Sequence, residues 1–163
     1  MDLVARHRFS ARPDEVTAAM MDPAFAPELV AITDVGAVEV VDHGDDGTSR
    51  WLSARLTYNG SLDPIAARVL GSSRPSWVQT YRVDSTSTSG RLDIRPDDHG
   101  SLLECTARLD FRPVDGGTER SLNGTLNVKV PLIGGRAERA LGPAILARID
   151  AEAALLESWL NRA

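Results

Sequence analysis

The sequence has one cysteine, one lysine and few aromatic residues. Cys105 is the single cysteine, which excludes an internal disulfide and suits a reducing compartment. Lys129 is the single lysine; every other cationic side chain is an arginine, scattered among acids, and the net charge is −5 at pH 7. That balance argues against nucleic acid as a partner, because phosphate binding needs a clustered basic face. No apolar run approaches the ~20 residues of a membrane-spanning helix. The opening MDLVARHRFS lacks the apolar centre of a secretory signal. A cytoplasmic protein without an integral membrane segment is expected. The three histidines share no metal-ligand spacing and Cys105 has no cysteine partner, so neither a metal site nor a cofactor is expected. Phosphate-loop, nucleophile-elbow and paired-carboxylate signatures are also missing.

What is present fits one domain spanning residues 1–163. A chain of this length can bury on the order of 70% of its unfolded surface, and 42% of its residues are hydrophobic. Leu3, Ala5, His7 and Phe9 alternate with polar neighbours and read as a first strand. Arg12-Pro13-Asp14-Glu15 reads as a helix start, with proline at the first position and acids opposing the macrodipole. Phe25–Ile32 reads as a second short helix. Strands follow over Val35–Asp42, Ser49–Tyr58, Trp77–Val83, Ser85–Arg95, Leu103–Phe111 and Leu122–Val130, with one or two helical turns at Ile65–Leu70. The last segment has helical period to about Asn161, roughly 40 Å at 1.5 Å per residue. Gly142-Pro143 predicts a kink in it.

The stretch VPLIGGRAERALGP, Val130 to Pro143, joins the last strand to that helix. Pro131 ends the ladder because it has no donor. Gly134 and Gly135 allow unusual dihedrals and a close approach of helix to sheet, with Gly135 as the N-cap. Each strand has one strongly apolar face, so the helix is expected to fold back over the concave side of a twisted antiparallel sheet. One helix over such a sheet leaves a gap.

Val130-Pro131-Leu132-Ile133-Gly134-Gly135, Glu138, the Trp159-Leu160 ending and the first-helix pattern RPDEVTAAMMDP resemble a bacterial branch of the START-like superfamily. The resemblance covers essentially the whole chain. It implies the α+β helix-grip fold shared with the birch-pollen allergen group and the polyketide cyclases. In that fold a curved antiparallel sheet of about seven strands, in the order β-α-α-β6-α, wraps a long, kinked C-terminal helix. The superfamily spans lipid carriers, hormone receptors, aromatases, cyclases and co-chaperones, and fold does not choose among them.

The converging apolar faces name Leu56, Tyr58, Tyr81, Cys105, Leu109, Leu122, Leu141 and Ile145 as cavity-lining candidates. Arg148 and Glu152 interrupt the apolar stripe of the last helix four residues apart. They either pair on the solvent side or face a polar ligand group inside. His7 lies on the apolar face of its strand and would either orient a ligand or bond to a neighbour. Cys105 has no electropositive neighbourhood in sequence and reads as a small buried hydrophobe. The expected function is binding or carriage of a small hydrophobic molecule: a lipid, a fatty acyl chain or an aromatic metabolite. A cyclase or aromatase is the alternative, and it needs His7, Tyr58, Tyr81 and Arg148 gathered at the inner end of the pocket. A third reading is a protein-interaction module with a vestigial pocket, or a homodimer formed through a strand edge.

Overall fold

The computed structural model describes residues 1–162. Period-two alternation yields strands β1 (Asp2–Phe9), β2 (Val35–Asp45), β3 (Ser49–Tyr58), β4 (Ser76–Asp84), β5 (Ser89–Pro96), β6 (Leu103–Val114) and β7 (Gly117–Val128). They form one antiparallel seven-stranded sheet in the order β1-β7-β6-β5-β4-β3-β2. Consecutive strands from β2 to β7 pair through hairpins or short insertions. β1 is set apart from β2 by two helical segments and closes onto β7 instead. On β6 the residues Leu103, Cys105, Ala107, Leu109 and Phe111 are buried. Leu109 and Leu122 face each other in register and are wholly buried, each contributing about 1.5–3 kcal/mol through area removed from water.

Helix α1 (Pro13–Met20) starts on Pro13, carries Asp14 and Glu15 in its first turn, and buries Val16, Ala19 and Met20. Helix α2 (Pro64–Leu70) is capped by Asp63, whose carboxylate accepts from the Ile65 and Ala66 amides. Helix α3 (Gly134–Leu160) runs through Pro143 and packs against β1, β7, α1 and α2. The result is the helix-grip arrangement, a curved sheet holding a long C-terminal helix.

Three local expectations are corrected. Phe25–Ile32 forms a 3₁₀ segment, Ala26–Ala31, rather than an α-helix. Pro27 sits in its first turn and the run is six residues long, too short for cooperative α-helix. Ser85–Thr88 is a turn and not part of β5, because Asp84 takes over its donors. The Asp84 carboxyl accepts from the Thr88 and Ser89 amides at 2.8 and 3.2 Å and is held down at about 2 by these and the neighbouring hydroxyl bonds, which outweigh the opposing effect of burial. The turn tucks Ser87 inward, where its hydroxyl lies 2.7 Å from that of Thr17 on α1.

The third correction concerns the entry to α3. The helix starts at Gly134 with Ile133 as N-cap, two residues earlier than expected. The left-handed residue is Leu132, with φ of 70° and its side chain fully exposed, and neither glycine. Gly134 is needed for space: a Cβ there would run into the Val128 carbonyl oxygen at the end of β7. Glu138 fastens the junction by accepting from the Val128 amide at 3.2 Å. Gly142 has the same use further along, since a Cβ would collide with the Met1 thioether.

Candidate functional site

Strand β4 presents Trp77, Gln79 and Tyr81 on its inward face, and α3 presents Arg148 and Glu152 one turn apart. Glu152 is the meeting point. Its Oε1 accepts from Gln79 Nε2 at 2.6 Å and from Arg148 Nη1 at 3.0 Å. Its Oε2 accepts from the Tyr81 hydroxyl at 3.0 Å. Arg148 Nη1 also donates to Gln79 Oε1, and the guanidinium stacks 5.3 Å from the Trp77 ring centroid. The Arg148 and Glu152 side chains are only 10% and 6% exposed, so the pair is interior and not on the solvent side. A buried ion pair persists only when such extra hydrogen bonds satisfy it. Burial, and then the Glu152 charge, push the Tyr81 hydroxyl far above its ordinary range, which keeps it a donor.

A second cation lies behind this cluster. Arg120 on β7 is 2% exposed, opposite His7 of β1 in register. Its Nη2 donates to His7 Nδ1 at 3.1 Å, while His7 Nε2 lies 2.7 Å from Asp150 Oδ1 on α3. With Nδ1 accepting, Nε2 carries the proton and donates to Asp150. Burial first, and the Arg120 charge second, hold the His7 imidazole below its usual range. The Arg120 Nε has no partner among the described residues.

Two hollows flank the cluster. The larger measures about 360 Å³ and lies between α3 and the sheet. Leu141, Ile145 and Arg148 wall it from the helix; Tyr58, Trp77, Ile94 and Leu103 wall it from the strands; Ile32, Asp34, Leu62 and Leu70 stand around its outer part. The smaller, about 30 Å³, is bounded by Gln79, Tyr81, Arg120 and Glu152 together with Met20, Phe25 and Leu52. It is large enough for a water molecule, which needs about 10–15 Å³ of such space.

The residues singled out from the sequence divide accordingly. Tyr58, Leu141, Ile145 and Arg148 line the larger hollow. Tyr81 and Glu152 line the smaller. Leu56, Cys105, Leu109 and Leu122 are buried in the packed core and reach neither wall. α1 packs against β6 and β7 and fills that end. His7 also lies outside both. Burial pushes the Cys105 thiol up to about 11. Tyr58 stands at the outer end, its hydroxyl donating to the Ser61 carbonyl at 2.8 Å. Trp77 faces inward, whereas Trp51 is on the outer face, 4.7 Å under Arg82. Gln79 and Arg120 are the participants not singled out. Strand parity marks both, since Gln79 falls between Trp77 and Tyr81, and Arg120 falls two before Leu122.

A long helix held in a curved seven-stranded sheet, with an apolar hollow between them, is the START-like fold of the SRPBCC type. Solved structures from several sources share this fold. TTHA0849 from Thermus thermophilus superposes with a TM-score of 0.68 at 17% identity, covering 98% of this chain and 97% of that one. A START superfamily protein from Mycobacterium smegmatis gives 0.59 at 12%, covering 98% and 96%. The ZhuI aromatase/cyclase from Streptomyces sp. R1128 gives 0.62 at 12%, covering 99% and 94%. The chain belongs to the family described as protein of unknown function DUF2505, whose model matches residues 5–160. Among curated proteins nothing matches. No helix of the described residues is long and apolar enough to cross a membrane.

Proposed function

We propose that this protein binds a small, mainly apolar molecule between the sheet and α3. The observation that carries the reading is the 360 Å³ hollow with a largely apolar wall in an otherwise packed interior. Its volume falls at the lower end of the roughly 300–1,000 Å³ typical of small-molecule sites. Leu141, Ile145, Tyr58 and Trp77 supply the contact surface, and Arg148 supplies the polar end. Affinity comes chiefly from apolar burial, about 25 cal/mol per Å² before ordering costs. The test is displacement of a fluorescent fatty acid from purified protein, with native mass spectra of whatever co-purifies. Ile145→Trp fills the hollow and is expected to abolish binding while leaving the fold intact. An Ile145→Trp variant that binds as well as the parent, or a parent that binds no apolar probe, removes the reading.

The likeness to an aromatase/cyclase favours an enzyme as the second reading. Tyr81 and Arg148 do converge, on Glu152. Tyr81, however, borders the smaller hollow, His7 is turned to Arg120 and Asp150, and Tyr58 stands at the outer end. The binding reading therefore has the stronger support.

A further inference from the structure

We propose that the occupant of the larger hollow carries a carboxylate and binds with that end innermost, on the free edge of Arg148. The inference rests on the binding reading above and specifies the chemistry of its ligand. Arg148 uses only Nη1 in its contacts with Gln79 and Glu152. Its Nε and Nη2 have no partner among the described residues, and neither is fully buried. Those two atoms form the planar edge that grips a carboxylate by two parallel hydrogen bonds. Elsewhere in this chain the same edge is already occupied in that way. Arg55 holds Asp97 through Nε and Nη2 at 3.0 and 3.2 Å, and Arg91 holds Asp93 at 2.9 and 3.0 Å. Arg148 lines the hollow, and no acid of its own lies on that edge.

The buried charges point the same way. Arg148 and Arg120 are matched inside by one carboxylate, Glu152, while Asp150 is 64% exposed and screened by solvent. The interior thus holds one positive charge in excess, and an incoming carboxylate removes the imbalance. The exposed Asp34 at the outer part of the hollow repels an anionic group held there. The wall between the two, including Ile94, Leu103, Leu141 and Ile145, is apolar. Only a compound with an apolar body and one acidic end matches all three zones.

The test is calorimetric titration of the full chain with decanoate, decan-1-ol and decyltrimethylammonium, which share a tail and differ at the head. Decanoate should bind at least about tenfold more tightly than the alcohol, about 1.4 kcal/mol, and the ammonium compound weakest. Arg148→Met combined with Glu152→Gln removes both members of the ion pair together, so neither is left facing the loss of the other. That variant should lose the preference, binding decanoate and decan-1-ol about equally; Arg148→Lys, lacking the planar edge, should keep part of it. Equal binding of decanoate and decan-1-ol by the parent overturns the carboxylate inference and leaves the hollow as a binding site. A decanoate preference that survives the double substitution overturns the assignment to Arg148. Failure of all three to bind overturns both readings together.

Discussion

Glu152 receives hydrogen bonds from three side chains on two elements, and removing it leaves Arg148 buried without its counter-ion. Glu152→Ala should therefore cost about 3–5 kcal/mol in chemical denaturation; a loss below ~1 kcal/mol would show that the cluster is not fully buried. His7 makes a pH prediction. Its folded value lies below 6.5, so the unfolded chain takes up the proton first as pH falls. Stability from neutral His7 is complete above about 6.5 and is lost as pH drops from there through the lowered folded value. Denaturation midpoints on either side of pH 6.5 should differ in the parent and converge in His7→Gln. Arg120→Met removes a cation that depresses His7, and the imidazole titration followed by NMR should move upward. At this level the sequence was only half legible. Parity placed Tyr81 inward, and helical spacing paired Arg148 with Glu152. Arg120 and Gln79 escaped because a polar residue among apolar neighbours looks like a break in the pattern until its partners are known.

Among the elements, the junction between β7 and α3 shows a motif of which one expected role is met and the other is not. Val130 to Gly135 does turn the chain sharply from sheet to helix, and Gly134 allows the expected close approach, yet Leu132 and neither glycine takes the unusual dihedral. Gly134→Ala pushes a methyl group against backbone and should cost about 1–3 kcal/mol by overpacking. Gly142→Ala meets only the flexible end of Met1, and its thermal midpoint should fall less. Equal effects would mean that the helix start shifts freely. The serine- and threonine-rich stretch after Asp84 misled because its composition suits a strand; the deciding factor was the Asp84 carboxylate, which satisfies the turn amides locally.

For the molecule as a whole, strand number, element order and the long final helix follow from the period of the apolar residues. The position of the hollow does not. Leu109 and Leu122 have the same pattern as residues that line it, and whether they meet a neighbour or open space depends on where α1 and α2 settle. That is a question of volume, which periodicity does not encode. The attachments of α3 are also unevenly distributed. Hydrogen bonds from the helix and the residues just past its end run to β1 and the serine after it, to β4, to β7 and to the 3₁₀ segment. The pairs include His7–Asp150, Ser10–Glu157, Gln79–Glu152, Val128–Glu138 and Glu28–Arg162. Among the described residues none joins α3 to α2, β2 or β3, and the hollow lies on that side. Amide exchange should be slowest along β6 and β7, which have a strand on either side, and faster in α2, and a bound ligand should slow α2 most. The rod is stitched down one seam and merely greased along the other, so cargo would pass where the parting needs no polar bond to break.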